Sequence, residues 1–292
     1  MSTSRRMVLA ALAGGALAGC TAQKGPSKAE ATVAAPAAAP SSAGPSPSAV
    51  ARPASPATAT RAEILARYGH AVPHTWGFDG PGVVHRLPAG HRGTALTFDA
   101  CGGRGGSGYD QVLIDFLRRR EIPATLFINS RWIEANPAVF RRLAAEPLFE
   151  IANHGTRHLP LSVAGRSAYG IPGTRDAAEV YEEIAGNRAK LTRLLGHPPR
   201  FFRSGTAYCD DVAARIVTAM GERFAGFSVN GDGGATFSPE QVRTTVGSAP
   251  AGSVVICHMN HPEGGTAAGI TAAVPRLLAS GHTFVRLSDA LH

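Results

Sequence analysis

Short apolar runs and amphipathic stretches alternate through residues 61–292. Residues 94–98, 124–128 and 253–257 are apolar runs of strand length, whereas residues 109–120 and 176–195 carry apolar side chains at helical spacing. Strands that alternate with helices in this way predict a parallel α/β architecture. The same patterns predict further strands at residues 149–151, 200–202, 224–229 and 283–287, and further helices at residues 136–146, 211–220 and from about 267.

Capping residues indicate where two of these helices begin. Asn136 is a good N-cap residue, and it is followed by Pro137, which is tolerated at the first helical position. Asp176 with Glu179 three residues later predicts a capping pair. The helix at residues 109–120 is expected to bury one face, made of Val112, Leu113, Phe116 and Leu117.

A polar residue follows each of five predicted strands. These residues are Asp99, His154, Arg203, Asp232 and His258. In a (β/α) barrel the carboxyl ends of the strands meet at one rim, and that rim carries the active site. We therefore expect a barrel with these five side chains at one rim.

Residues 1–20 are typical of a secretory signal peptide, because two arginines precede an apolar run at residues 7–17. The run is shorter than the roughly 20 residues that a permanent membrane span requires. Residues 17–20, Leu-Ala-Gly-Cys, resemble the bacterial lipoprotein processing box, and residues 4–9 resemble a twin-arginine export signal. The resemblance implies an exported protein, lipidated at Cys20 and anchored at the cell membrane or envelope. The alternative is an ordinary secretory signal in which Cys20 occurs by chance.

Residues 21–60 consist mainly of Ala, Pro, Ser and Thr, and they contain almost no large apolar side chain. Such a segment cannot bury enough surface to offset its chain entropy, which predicts a disordered tether. Residues 61–292 have the length of one domain. The net charge of +8 is spread along the chain without a basic-aromatic pattern, so nucleic acid is not an expected partner.

Three cysteines remain when Cys20 is assigned to the lipid. Because Cys101, Cys209 and Cys257 are odd in number, a complete disulfide framework is excluded. Either one bridge and one free thiol or three free thiols are expected. All three cysteines lie in or beside the predicted rim motifs, so they either cluster near the site or are small buried residues.

His154 and His158 are four residues apart, a spacing that allows both imidazoles to bind one metal ion. The alternative for such a pair is two unrelated loop histidines, but the flanking strand and the other rim residues favour metal binding. A zinc-protease motif would require Glu directly after the first histidine, and that residue is Gly155.

The other rim residues are suited to acid–base chemistry. Asp99 is the best general base, and His258 is the best general acid because histidine titrates near neutral pH. Asp232 is suited to orienting His258, and Arg203 is suited to holding a carboxylate through a bidentate ion pair. Each also has an ordinary structural explanation: Asp99 as a loop cap, His258 as a strand-end residue bonded to the backbone, Asp232 as a turn residue and Arg203 in a structural ion pair.

Taken in order, these segments resemble the motifs of the polysaccharide deacetylases. Residues 97–102 (Thr-Phe-Asp-Ala-Cys-Gly) are similar to the family's T-F-D-D-G motif, and residues 154–158 keep both histidines of H-[ST]-x-x-H. Arg203, Asp232 and His258 are similar to the residues that carry the remaining three motifs. The resemblance spans about residues 94–287 and implies a distorted (β/α) barrel that removes acetyl groups, most often N-acetyl, from a glycan. It implies a divalent metal, zinc by preference and cobalt as the alternative, with Asp99 as base, His258 as acid, and Arg203 and Asp232 orienting them.

One departure affects the metal site. The family's second Asp, a metal ligand, is matched by Ala100 here. Catalytic zinc usually has three protein ligands, so the third could be Asp99, Cys101 or Asn153, or the site is weakened. Two alternative functions therefore stay open: a carbohydrate-binding lipoprotein with a degenerate centre, and an amidohydrolase that acts on a small amide.

Overall fold

The structure is a computed structural model that describes residues 58–291. The predicted signal peptide, the lipidation site at Cys20 and most of the predicted tether lie outside these residues. The last three positions assigned to the tether contact the domain, because the amide of Ala59 donates to the carbonyl of Ala219 and Thr60 caps the first helix. Among residues 58–291, no helix is both long and apolar enough to cross a membrane.

Strand and helix alternate as expected for an α/β protein. The strands described are β1 (Trp76–Gly77), β2 (Val83–Val84), β3 (Gly93–Ala100), β4 (Ala124–Ile128), β5 (Phe149–Asn153), β6 (Phe201–Phe202), β7 (Cys209–Asp210), β8 (Arg223–Ala225), β9 (Val229–Asn230), β10 (Val254–His258) and β11 (Thr283–Phe284). The helices described are α1 (Arg61–Tyr68), α2 (Gln111–Arg119), α3 (Ser130–Ala135), α4 (Pro137–Ala144), α5 (Ala177–Leu195), α6 (Asp211–Ala219), α7 (Pro239–Gly247), α8 (Thr266–Ala279) and α9 (Leu287–Ala290).

The main sheet is parallel throughout and curls into an open barrel. Its strand order is β2-β8-β6-β5-β4-β3-β10-β9, and β11 pairs with the beginning of β3. Within the described residues no pairing joins β2 to β9, so the barrel is not closed by hydrogen bonds there. This arrangement confirms the predicted distorted (β/α) barrel. A separate antiparallel pair is formed by β1 and β7.

Alternation along the strands separates two apolar environments. On β3, Ala95 packs inside the barrel with Phe127 of β4, whereas Leu96 and Phe98 pack outside against the helices. Side chains of a strand point alternately to opposite faces, so Thr97 and Asp99 share the inner face with Ala95. Ala100 belongs to the outer core. The same alternation holds on β10, where Val254 is inside and Val255 is outside.

Two groups of helices cover the outer face of the sheet, each over its own apolar core. One core lies beneath α2, α3, α4, α7 and α8, and it includes the fully buried Trp132 and Phe140. The other lies beneath α1, α5 and α6 and includes Ile184 and Phe224. Burial on both faces explains why the strand sequences are continuously apolar rather than alternating.

The predicted helices and strands are largely confirmed, with two corrections. Val112 is 67% exposed, so it lies outside the buried face of α2, which consists of Leu113, Ile114, Phe116 and Leu117. The single strand predicted at residues 224–229 is two strands, because β8 pairs with β6 and β2 while β9 pairs with β10. The chain crosses the barrel between them at Gly226, where a Cβ would lie 2.6 Å from the carbonyl oxygen of Phe78.

Candidate metal centre and active site

Cys101, His154 and His158 bring one ligand atom each to within 4.8 Å of the others. The Nδ1–H of His154 donates to the carbonyl oxygen of Arg203 at 3.0 Å, because a carbonyl can only accept. That bond fixes the tautomer and leaves the Nε2 lone pair facing the site, 3.7 Å from Cys101 Sγ. The thiol of Cys101 thus lies close to the histidine pair that the sequence predicted.

The loop that carries His158 is held from beneath by a buried carboxylate. Glu183 of α5 accepts the backbone N–H groups of Arg157 (2.9 Å), His158 (2.8 Å) and Leu159 (3.3 Å). His158 has a φ of +67°, in the left-handed region that costs energy for a side chain other than glycine. The loop also packs against Gly205, where a Cβ would lie 2.3 Å from the carbonyl carbon and oxygen of His158.

An unpaired nitrogen of His158 indicates that this group of side chains is suited to binding a cation. The Nε2 atom of His158 is buried and has no hydrogen-bond partner in the described part of the chain. Buried polar atoms are normally paired, so an orphan beside a thiol and a second free imidazole nitrogen fits a bound cation. One sulfur and two imidazole nitrogens are donors that zinc prefers, with a fourth position left for water or substrate. The residues present therefore fit the implied divalent metal.

Asp99 lies next to this group and is fixed by a buried arginine. Its Oδ1 accepts Nη1 of Arg203 at 2.7 Å, and its Oδ2 lies 3.6 Å from His154 Nε2. The Arg203 side chain is fully buried, and it also donates to the carbonyl oxygens of Ala225 and Gly226. Arg203 contacts Asp99 through one guanidinium nitrogen, rather than through the bidentate ion pair expected from the sequence. Arg203 therefore positions Asp99 and does not face the cavity.

His258 and Asp232 form a second polar unit across from Asp99. In the sheet, His258 is directly opposite Asp99, and its Nδ1 lies 2.9 Å from Asp232 Oδ1. Asp232 Oδ2 accepts the backbone N–H of His258 at 2.6 Å and the hydroxyl of Thr266 at 2.9 Å. Burial acts to lower the pKa of His258, but the Asp232 carboxylate outweighs it and holds that pKa well above its ordinary value. The Asp232 carboxylate therefore favours the protonated form of His258.

The thiol of Cys101 is also perturbed by its neighbours. Burial would raise the pKa of Cys101, but the neighbouring imidazoles of His158, His154 and His258 lower it well below the ordinary value. Thiolate is the form that binds metal. Cys101 is thus prepared as a ligand by the residues around it.

Of the other two candidates for the third ligand, Asp99 lies beside the group, 3.6 Å from His154 Nε2, whereas Asn153 does not. Asn153 points outward toward α5, where its Oδ1 accepts the amide of Gly155 and its Nδ2 donates to Glu222. Ala100 is fully buried in the outer core, so position 100 faces away from the histidines.

The three cysteines do not cluster. Cys101, Cys209 and Cys257 are all free, and the last two are buried in the two outer cores. Only Cys101 reaches the site, because it lies on the inner face of the barrel.

The site opens into two cavities with different linings. One, of about 440 Å³, is lined by Asp99 and His258 together with Tyr169, Phe227, Phe237 and other largely apolar groups. The other, of about 630 Å³, is lined by Cys101, His158 and His258 together with Arg104, Arg131 and His261. His258 lines both cavities, so this residue lies where the two meet.

Residues 87–225 match the sequence profile of the family described as polysaccharide deacetylase. The chain contains a polysaccharide deacetylase domain. The matched region includes every site residue named above except Asp232, His258, Thr266 and the cavity residues that follow residue 225. No curated protein matches the chain.

Solved structures share the fold of this deacetylase domain. A family 4 carbohydrate esterase pseudoenzyme from Bacillus anthracis superposes with a TM-score of 0.61 at 17% identity, covering 73% of this chain and 70% of that one. A peptidoglycan N-acetylglucosamine deacetylase gives 0.60 at 22% identity, with 72% and 92% covered. A family 4 acetyl xylan esterase from Clostridium thermocellum, in complex with a cobalt ion, gives 0.55 at 20% identity, with 68% and 89% covered.

Sequence patterns did not reveal two positioning residues of the deacetylase domain. Glu183 belongs to a helix whose buried face also includes Val180, Ile184 and Asn187. A carboxylate on such an apolar face is the available signal, since buried Glu needs a partner. Gly205 follows a rim residue by two positions, and nothing in the sequence marks its contact with the His158 loop.

Proposed function

We propose that the domain removes acetyl groups from an acetylated glycan by metal-assisted hydrolysis. The observation that carries the proposal is the placement of Cys101, His154 and His158 in one site with the Asp232–His258 pair. A metal group beside an imidazolium is the combination that hydrolysis of an amide or ester requires, because one side activates the attacking water and the other protonates the leaving group.

Each residue has a defined part in this chemistry. A bound divalent metal would polarise the acetyl carbonyl and lower the pKa of water. Asp99 is oriented by Arg203 and accepts a proton from the attacking water. His258 is kept protonated by Asp232 and donates to the leaving nitrogen or oxygen. Tyr169, Phe227 and Phe237 provide apolar surface beside Asp99 and His258, which suits a methyl group or a sugar face.

The names of the structural neighbours support the substrate class. One neighbour is a peptidoglycan N-acetylglucosamine deacetylase, and another is an acetyl xylan esterase in complex with cobalt. We propose N-acetyl groups of an envelope or extracellular polysaccharide as the substrate. We propose zinc as the metal, because a thiolate favours zinc over harder cations.

A catalytically weakened, glycan-binding domain is the second candidate. It is supported by the family 4 pseudoenzyme among the structural neighbours and by a thiol where a carboxylate ligand is expected. The intact Asp99–Arg203 and Asp232–His258 contacts favour the enzyme. The two cavities have more volume than a small amide needs, which favours a glycan over that third alternative.

Acetate release decides between these candidates. The full chain is purified in detergent, stripped of metal and assayed on acetylated chitooligosaccharide and on peptidoglycan with added zinc or cobalt. Activity that depends on metal and falls at least a hundredfold in His258→Ala supports the enzyme, since general acid–base catalysis contributes about 10²–10⁴-fold. Glycan binding without acetate release would support the second candidate.

The ligand role of Cys101 has its own test. Cobalt bound to a thiolate shows an intense charge-transfer absorption in the near ultraviolet, so the cobalt-loaded protein should show this band. Cys101→Asp and Cys101→Ser should lose the band, and Cys101→Asp should retain more metal affinity because a carboxylate also binds divalent metals. Cys257→Ser, at a position in the outer core, should leave the band intact. A cobalt complex without the band would exclude Cys101 as a ligand.

We also propose that the protein is exported and anchored to the cell membrane by lipid on Cys20. The support is the sequence of residues 1–20 alone. Cys20→Ala should move the protein from the membrane fraction to the soluble fraction and abolish incorporation of labelled fatty acid. Membrane retention of the variant without label would contradict the anchor.

A further inference from the structure

The larger of the two cavities beside the site is lined by basic side chains. Arg104, Arg131 and His261 share it with the site residues Cys101, His158 and His258, and the other residues that line it are glycines. No carboxylate among residues 58–291 lines this cavity. The smaller cavity is lined instead by Asp99 and by apolar and aromatic groups. The two sides of the site therefore offer opposite chemistry to a substrate.

The arginines of this cavity are not neutralised by the protein. The Arg131 side chain donates to Asn129 Oδ1 at 3.3 Å and to the carbonyl oxygen of Cys101 at 3.4 Å, both uncharged acceptors. Arg104 is exposed on the glycine loop and has no ion pair within the described residues. Only His261 has a carboxylate partner, Glu263 at 3.3 Å, and that glutamate is 73% exposed. The cavity thus keeps an excess of positive charge next to the reacting groups.

Arg131 is held in place by its surroundings. It lies half-buried over the glycine loop, where a Cβ at Gly103 would lie 2.8 Å from Arg131 Nη1. A fixed guanidinium is the group that best recognises a carboxylate or phosphate, through charge-assisted hydrogen bonds. Because Arg131 contacts the carbonyl of Cys101, an anion bound there would be close to the acetyl group undergoing hydrolysis.

We infer that the substrate carries an anionic substituent near its acetyl group, and that Arg104 and Arg131 bind it. This inference rests on the proposed deacetylase function. The ligand class is an N-acetylated sugar with a carboxylate or phosphate close to the acetamido group. A carboxylate would come from the lactyl ether of muramic acid residues in peptidoglycan, and a phosphate from a phosphorylated wall glycan.

Matched substrates test the inference by turnover. Muramic acid-containing glycan strands are compared with the same strands after their carboxylates have been reduced to alcohols, and with an N-acetylglucosamine oligomer carrying phosphate. Wild-type protein should have a kcat/KM about tenfold or more higher for an anionic strand than for the reduced strand, as one charge-assisted contact allows. Arg131→Gln and Arg104→Gln should bring the ratio of the two kcat/KM values, anionic strand over reduced strand, close to one.

An exposed arginine elsewhere provides the control for net charge. Arg215 is 55% exposed and pairs with Asp211 on α6. Arg215→Gln changes the charge by the same amount and should leave the preference intact. High salt should reduce the preference of the wild type, since exposed charges are screened. Equal rates on anionic and reduced strands in the wild type would overturn the inference.

Binding separates failure of this inference from failure of the proposed function. Calorimetric titration of the anionic and reduced strands into the metal-free protein measures the preference without turnover. If no acetate is released but anionic strands bind tighter through Arg131, the subsite stands and the hydrolase proposal fails. If acetate is released at equal rates and both strands bind equally, the hydrolase stands and the subsite fails. The phosphate-bearing oligomer then tells whether phosphate or carboxylate is preferred.

Discussion

Replacing Glu183 should weaken metal binding without changing any of the proposed ligands. Glu183 is fully buried, and its carboxylate accepts the amides of Arg157, His158 and Leu159. In Glu183→Ala these three donors lose their acceptor. Each unsatisfied buried donor costs about 1–3 kcal/mol, although water entering from the exposed side of Arg157 would offset part of it.

The expected loss can be derived from the same contacts. A loop at a positive φ that has lost its acceptor relaxes, and His158 then has no fixed position. Positioning partners of metal ligands typically contribute about 10–100-fold in affinity, which corresponds to about 1.4–2.7 kcal/mol. We expect Glu183→Ala to lie in this range. Glu183→Gln keeps one oxygen for the three amides and should lose less.

Competition with a chromophoric chelator measures zinc affinity, and circular dichroism establishes that each variant is folded. Glu182→Ala is the matched control, because Glu182 is the neighbouring position of α5, has a 58% exposed side chain and pairs only with Arg61 on the surface. Its zinc affinity should equal that of the wild type. If folded Glu183→Ala bound zinc as tightly as the wild type, the support of His158 by this carboxylate would be refuted.

Three further predictions concern the glycine contact, the pH dependence of stability and metal removal. Gly205→Ala should lower zinc affinity at least tenfold, because its Cβ would overlap the backbone of His158, whereas Gly247→Ala, whose Cβ would come no closer than 3.9 Å to a neighbour, should be neutral. Burial raises the pKa of Glu222 from 4.5 to about 8, so the folded state holds this proton more tightly than the unfolded chain. The stabilisation from this proton is complete below about pH 4.5 and is lost toward pH 8 at about 1.4 kcal/mol per pH unit. Urea titrations at several pH values should therefore show a smaller decline in the free energy of unfolding for Glu222→Gln than for the wild type. Parallel curves for the two proteins would contradict this. Chelation should lower the melting temperature of the wild type and not that of His158→Ala. A ligand that binds only the folded state stabilises it by about 2.7 kcal/mol when its concentration is a hundred times its dissociation constant. Equal shifts of the melting temperature in both proteins would contradict the proposed metal site.

The sequence was sufficient to predict the barrel and the rim positions. Asp99, Arg203 and His258 follow strands that are apolar and short, and this pattern alone places them at one rim. The third metal donor could not be chosen in the same way. Both faces of these strands are buried, so the pattern does not show which face is the barrel interior. Once the interior face is known, alternation assigns Cys101 to the site and Ala100 to the outer core.

Contacts between distant segments explain the other omissions. Glu183 is 25 residues from His158, and neither a motif nor a period links the two. The left-handed conformation of His158 depends on that contact and on Gly205, so it could not be predicted from local propensity. Asp232 was expected to orient His258, and the structure places the two carboxylate oxygens on the Nδ1 and backbone N–H groups of that histidine.

The burial of Arg203 gives Asp99 a structural role in addition to its proposed chemical one. The Arg203 guanidinium lies over the ring of Phe127 in the barrel interior, and Asp99 is its carboxylate partner there. Loss of Asp99 alone would leave that charge uncompensated, a change that typically costs about 3–5 kcal/mol. Loss of Asp99 with Arg203 retained would therefore destabilise the folded domain whether or not the domain catalyses a reaction. His258 is constrained in the same way, because it is the partner of the buried Asp232 carboxylate. The presence of either pair in a chain of this type is therefore explained by folding and does not by itself show that the chain still catalyses a reaction.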